Sequence, residues 1–460
     1  MSKLNVKAKR EVVRTHEGAE TYRVKAVEDL RRAVMSCMLW EDTFYQTGSS
    51  IAKRIAELVP QVKPEEAYQI AVDARNKSKL RHVPLFIARQ MALVPGMKGL
   101  LGKLLPEIIQ RPDELTEFLS IYWMEKRQPL SGQVKKGLAK AFKKFNEYSL
   151  AKYNQDSKVK LRDVLFLTHP KANDASQQDM WNRLIKGELK TPDTWEVELS
   201  KNGNSKEAWE RLLAEKKLGG LALIRNLRNM TDKGVDPALV NKALDEMDGS
   251  RILPFRFLAA TKHAPKFEPG IEKAFLKSME GREKLPGKTV FVVDISGSMA
   301  SPLSSKSTMT RMEAASSLAV LVRELCEEPV IYATAGNDHN RVHATALVPS
   351  RRGFALSDAV VKMESKLGGG GIFLKQVCDY VKGKEKTADR LIVITDEQDC
   401  SNTHEDAPAN ADAFGKMNYI INVNTYEHGI AYDNKWIHIS SWSEAVLDYI
   451  REYERSTLTQ

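Results

Sequence analysis

The stretch Thr289-Val-Phe-Val-Val-Asp-Ile-Ser-Gly-Ser-Met299 constrains this chain most. Val290 to Val293 is an unbroken β-branched and aromatic run, the pattern of a strand buried on both faces. It ends in Asp294, and Ser296 and Ser298 follow at alternating positions around Gly297. A carboxylate and two hydroxyls so spaced can all turn toward one hard cation, Mg²⁺ or Mn²⁺. A second apolar run, Leu391-Ile-Val-Ile-Thr-Asp396, also ends in an acid. Strands are expected at 289–294, 330–334, 343–348, 390–395, 419–424 and 436–439. Helices are expected among them at 311–328, 357–365, 372–382, 409–417 and 443–453. This alternation predicts a doubly wound α/β sheet, whose ligands sit at the carboxyl ends of the strands. Asp294, Ser296, Ser298 and Asp396 are therefore the candidate metal ligands, while Glu397 and Asp399 read as surface charge.

Before residue 288 the periodicity is helical, with almost no strand-like alternation. Pro64 followed by Glu65 and Glu66 marks one helix start. A single long helix is expected over 131–153. Many short helices in pairs predict a helical-repeat solenoid, so the fold class is α followed by α/β. The expected divisions are a flexible basic arm at 1–20, a helical domain at 21–285 and a sheet domain at 286–460. The last boundary falls near Pro286-Gly287.

Charge is unevenly spread. Residues 1–285 hold 52 Lys+Arg against 37 Asp+Glu, whereas residues 286–460 hold 18 against 23. A basic half joined to a mildly acidic one suggests that the first half meets a polyanion. The bland alternative is that basic faces only keep the helices soluble. Ser131–Lys171 concentrates ten Lys+Arg and three Asp+Glu. At helical spacing Lys136, Lys140, Lys143 and Lys144 share one face, opposite Leu138, Ala141, Phe142 and Phe145. Lys152, Lys158, Lys160 and Arg162 follow. Such a ridge can hold phosphates through charge and counterion release, or it can be a solvated helix face.

Several function classes find no support. No apolar run reaches the roughly 18–20 residues of a membrane span. Met1–Arg14 has no apolar core of the kind a secretory signal carries. Cys37, Cys326, Cys378 and Cys400 are far apart, which points to reduced thiols, a cytoplasmic setting and no zinc site. Gly102-Lys103 is followed by Leu104, so it is not a phosphate loop, and neither His-Glu-x-x-His nor Gly-x-Ser-x-Gly occurs. The chain is expected not to be an enzyme.

Two resemblances gather these signals. Asp294-x-Ser296-x-Ser298 after its strand, with Asp396 after another, resembles the metal-ion-dependent adhesion site of von Willebrand factor A domains. That family places a threonine after a glycine run. Here Gly368–Gly371 is followed by Ile372, which cannot ligate a cation. The helical half resembles the TROVE module of the Ro autoantigen family. The resemblance is carried by Arg31–Trp40, Leu138–Tyr153, Arg162-Asp-Val-Leu-Phe-Leu-Thr-His-Pro-Lys171, Leu223–Thr231 and Ile252-Leu-Pro-Phe-Arg256. It implies a ring of HEAT-like helix pairs closed by the A domain. It also implies binding of Y RNA-like noncoding RNA on an outer basic surface and of misfolded RNA 3′ ends in a central hole. Lys152 falls in the family's Lys-Tyr position, and His169 and Lys171 in its His-x-Lys turn. A helix-capping role for His169 stays open. Arg225 and Arg228 either face the hole or brace neighbouring helices. The expected role is noncoding RNA quality control by a cytoplasmic monomer, with an exoribonuclease as partner and no membrane. The rival reading is a metal-dependent protein-docking adaptor whose helices are scaffold.

Overall fold

The computed structural model describes residues 11–35, 42, 46–154, 157–192, 194–250, 252, 254–423, 426, 428–430, 435–440 and 445–458. The chain forms two compact units. A helical unit takes Ala26–Trp40 and Ser49–Lys217, and a sheet unit joins Met1–Lys25 and Glu41–Gly48 to Leu218–Gln460. The sheet begins close to the boundary expected at 286, but the compact units divide at 217/218, because the helices after Leu218 pack on the helices Arg311–Leu325 and Gly353–Lys362 that flank the sheet.

The helical unit buries one contiguous core, from Leu30 through Ile55, Leu85, Leu104, Phe118, Leu138 and Val164 to Leu184. Several of its helices start where the sequence supplies an acceptor for otherwise unpaired amides. Glu66 accepts from Lys63 N at 3.0 Å, and Asp174 accepts from Gln177 N at 2.8 Å. The helix expected over 131–153 is two helices, Gly132–Phe142 and Glu147–Tyr153. Asn146 is the reason. Its side-chain oxygen accepts from Ser149 N at 2.9 Å and restarts the helix, an interaction that competes with continuing the first one.

In the sheet unit, β1 (Val12–Arg14) and β2 (Glu20–Tyr22) pair antiparallel. Residues 12–22 are thus a hairpin and not part of a flexible arm; residues 1–10 lie outside the described residues. The main strands are β3 (Leu285–Asp294), β4 (Cys326–Asn337), β5 (Val342–Leu347), β6 (Ala388–Thr395), β7 (Gly415–Asn422) and β8 (Ile437–Ser440). They lie in the order β5-β4-β3-β6-β7-β8, all parallel except β5. That is the doubly wound order, with its switch point between β3 and β6. One face buries Val290, Val292, Leu391 and Val393 against Leu374, Val377 and Val381 of the helix Leu374–Glu385. The helix Arg311–Leu325 packs on β3 and β4.

The helix expected at 409–417 does not form. Pro408–Asn410 is a short 3₁₀ turn, and β7 already begins at Gly415. Pairing with β6 from Ala388↔Gly415 to Thr395↔Asn422 outweighs the weak helix preference of an alanine-containing segment. Cys326, Cys378 and Cys400 are buried and unbridged, and Cys37 lies outside the described residues. Among the described residues no helix is long and apolar enough to cross a membrane.

Candidate functional site

On the helical unit, Val134, Leu138, Ala141 and Phe142 turn the helix Gly132–Phe142 inward. The opposite side carries Lys136 and Lys140, both exposed, with Lys143 half-buried at its end. Lys144 has a different task. Its ammonium donates to the carbonyls of Pro106 and Ile109, at the C-terminal end of the helix Leu101–Ile108. A cation there satisfies carbonyls the helix leaves over. Desolvation holds its pKa below the usual lysine range. Lys152 lies 3.6 Å from the Glu196 carboxylate. Lys158 is exposed, and Lys160 caps the helix Leu161–Thr168, its backbone N–H donating to Asp163 at 2.8 Å.

His169 ends that helix in the left-handed region, φ 46°, with its N–H on Leu165 O at 2.9 Å. It is therefore the helix cap that the bland reading foresaw. The same turn leaves its imidazole and Lys171 exposed. Sequence reasoning missed the aromatics of this region. Phe166 is 55% exposed, and Arg162, Phe166 and His169 recur at four- and three-residue spacing along exposed positions of the helix. Tyr148 is 51% exposed. The available signal was an aromatic at a solvent-facing position between cations.

On the sheet unit, Arg225 and Arg228 project from the exposed face of the helix Gly220–Asp232, which buries Leu223, Ile224, Leu227 and Met230. Arg228 lies 3.8 Å from Asp232. Arg225 stands close enough to Arg256 that its charge, after desolvation, helps hold the Arg256 guanidinium below the usual arginine range.

The strand-end carboxylates meet at the switch point. Asp294 Oδ1 accepts from Ser296 N at 2.8 Å, and its Oδ2 accepts from Thr395 Oγ1 at 2.6 Å. Ser296 Oγ and Ser298 Oγ are 3.3 Å apart. Asp294 is fully buried, and burial, then the charge of Asp396, pushes its pKa up to about 7. Asp396 is equally buried, and its Oδ2 accepts from Arg311 Nη1 at 2.9 Å. Glu397 and Asp399, read as surface charge, are fully buried. Glu397 pairs with His438 at 3.1 Å. Asp399 accepts from Leu374 N at 2.7 Å and Ser401 N at 2.8 Å. Ile372 is fully buried and bridges Asp399 through its backbone. So the four expected ligands are brought together. Asp294 Oδ1 and Oδ2 each accept one protein hydrogen and keep further lone pairs, Asp396 Oδ2 faces a guanidinium, and Ile372 has no side-chain oxygen to add.

The TROVE domain pattern matches residues 9–188 and 182–352, well over half of the chain and past the start of the sheet. This chain belongs to the TROVE-domain family. That is the family of the Ro proteins, known as RNA-binding. The fold is similar to that of the Ro (RSR) protein of Deinococcus radiodurans, with a TM-score of 0.60, 16% identity, and 93% of this chain and 99% of that one covered. At that identity the likeness speaks for the fold. An 86-residue stretch is also similar to telomerase protein component 1 of Mus musculus, at 37% identity, and of Rattus norvegicus, at 38%. Those matches cover 17% of this chain, and this chain spans only 3% of either protein.

Proposed function

We propose that this TROVE protein binds a small structured noncoding RNA, Y RNA-like in form, on the basic face of its helical unit. Lys136 and Lys140 would clamp phosphates with little reading of bases. His169 and Lys171 at the exposed turn would extend the contact. Misfolded RNA with a single-stranded 3′ end is the second substrate, entering the central hole that the family resemblance implies, with Arg225 and Arg228 facing it. The role is noncoding RNA quality control, with an exoribonuclease as partner supplying the chemistry. The observation that carries the reading is the pairing of TROVE membership with a ridge whose Lys136 and Lys140 point to solvent.

Binding of a stem-loop RNA with a free 3′ tail, followed from low to high salt, tests it. Each phosphate contact contributes about −0.9 to the slope of log affinity against log salt. Lys136→Glu with Lys140→Glu is expected to weaken binding strongly and to flatten that slope by roughly two such increments. Lys144→Glu is unsuitable for this purpose, because it would also disturb the carbonyls at Pro106 and Ile109. Unchanged affinity and slope in the double variant would remove the proposed surface.

A further inference from the structure

We propose that Arg311 is the resident cation of the strand-end site, and that this site takes no divalent ion. Arg311 is the first residue of the helix Arg311–Leu325, and its guanidinium reaches Asp396 Oδ2 at 2.9 Å and Ser298 O at 3.3 Å from the same nitrogen. Both side chains of the ion pair have zero exposure. A pair so placed has little water competing for either charge, and removing one partner leaves the other's buried charge less compensated.

The local sequence fixes where Arg311 points. Thr310 caps the helix from both directions: its Oγ1 accepts from Glu313 N at 3.1 Å, and its N–H donates to Glu313 Oε2 at 3.0 Å. Arg311 N also donates to Ser301 O at 3.0 Å, tying the helix start to the loop that follows Ser298. The guanidinium therefore arrives on a pinned backbone, not on a free chain. A divalent ion beside it would set two cations against each other in a water-poor interior. Mg²⁺ also demands a near-octahedral shell of about six oxygens, whereas Ile372 contributes methyl groups.

The loop beyond Asp396 is held from outside as well. Thr15 Oγ1 of the β1–β2 turn donates to Asp399 O at 2.9 Å, and His16 N donates to Gln398 Oε1 at 2.8 Å. The site is thus a structural joint between β3, β6 and the helix Arg311–Leu325. A protein that docks on this face does so without a metal bridge.

The test is Mn²⁺ binding by the full-length chain, read by electron paramagnetic resonance, together with melting temperature in EDTA and in excess Mg²⁺ or Mn²⁺. Wild type is expected to hold no stoichiometric Mn²⁺ and to melt at the same temperature in all three solutions. An ion bound at about 100 times its Kd would raise melting by several degrees. Ile372→Thr alone restores the missing hydroxyl and is still expected to bind no Mn²⁺. Arg311→Met with Ile372→Thr is expected to acquire one Mn²⁺ and to melt higher with it. One equivalent of Mn²⁺ on wild type, lost in Ser296→Ala with Ser298→Ala, overturns the proposal. So does stoichiometric Mn²⁺ on Ile372→Thr alone, or a folded double variant that binds none. Should the double variant fail to fold, the wild-type and Ile372→Thr titrations still decide the matter.

Discussion

Lys140 and Lys144 show how far residue type underdetermines role. They are one helical turn apart in a single basic run, yet one faces solvent and the other bonds the carbonyls of Pro106 and Ile109. Spacing put both on one face, but the neighbour that claims Lys144 is 35 residues away in sequence. Arg311 is the same lesson in the sheet unit, since its partner Asp396 is 85 residues distant. Glu397 and Asp399 look like solvated acids by composition, and tertiary contacts bury them both. Phe166 is the reverse case, an apolar side chain left 55% exposed between Arg162 and His169. If a base stacks there, Phe166→Ala lowers affinity for single-stranded RNA by about 1–3 kcal/mol. The melting temperature is expected to stay near wild type, because little apolar area is lost from the core. Fluorescence anisotropy with a short labelled oligonucleotide reads the effect, and equal affinity would exclude stacking at this residue.

Helices and strands were more legible than single contacts. The capping signals and apolar periodicity place the helices expected at 311–328, 357–365, 372–382 and 443–453 within about five residues of where they form, because those signals act within one turn. Apart from the hairpin at 12–22, two failures have separate causes. Asn146 divides one expected helix through a local side-chain acceptor, and β7 claims residues from an expected helix through pairing with β6. Element packing supplies a further test. The helix Gly132–Phe142 crosses Leu101–Ile108 so closely that a Cβ on Gly137 would lie 2.5 Å from Leu101 O and 3.0 Å from Leu105 Cβ. Gly137→Val is expected to cost about 1–3 kcal/mol from overpacking. Urea denaturation measures it, and a midpoint equal to wild type would show that the two helices part without penalty. The lysines on the outer side of the same helix depend on that packing for their placement.

For the molecule as a whole, the sheet unit is discontinuous in sequence. Its first residues return to the loop after β6 through Thr15 and His16. A chain lacking residues 1–23 is expected to lose those bonds and to melt several degrees lower, at roughly 2–4 °C per kcal/mol for a unit of this size. Calorimetry on both chains settles it, and superimposable melts would mean that the hairpin adds no stability. By itself the sequence determined the α then α/β order, the apolar strands ending in Asp294 and Asp396, and the TROVE-type motifs, since each depends on residues adjacent along the chain. Only the tertiary structure decided that the helices after Leu218 join the sheet unit, that Lys144 caps a distant helix, and that Arg311 sits against Asp396. Those outcomes depend on which distant groups share a buried space, and there burial and charge pairing outweigh any preference written into a short segment.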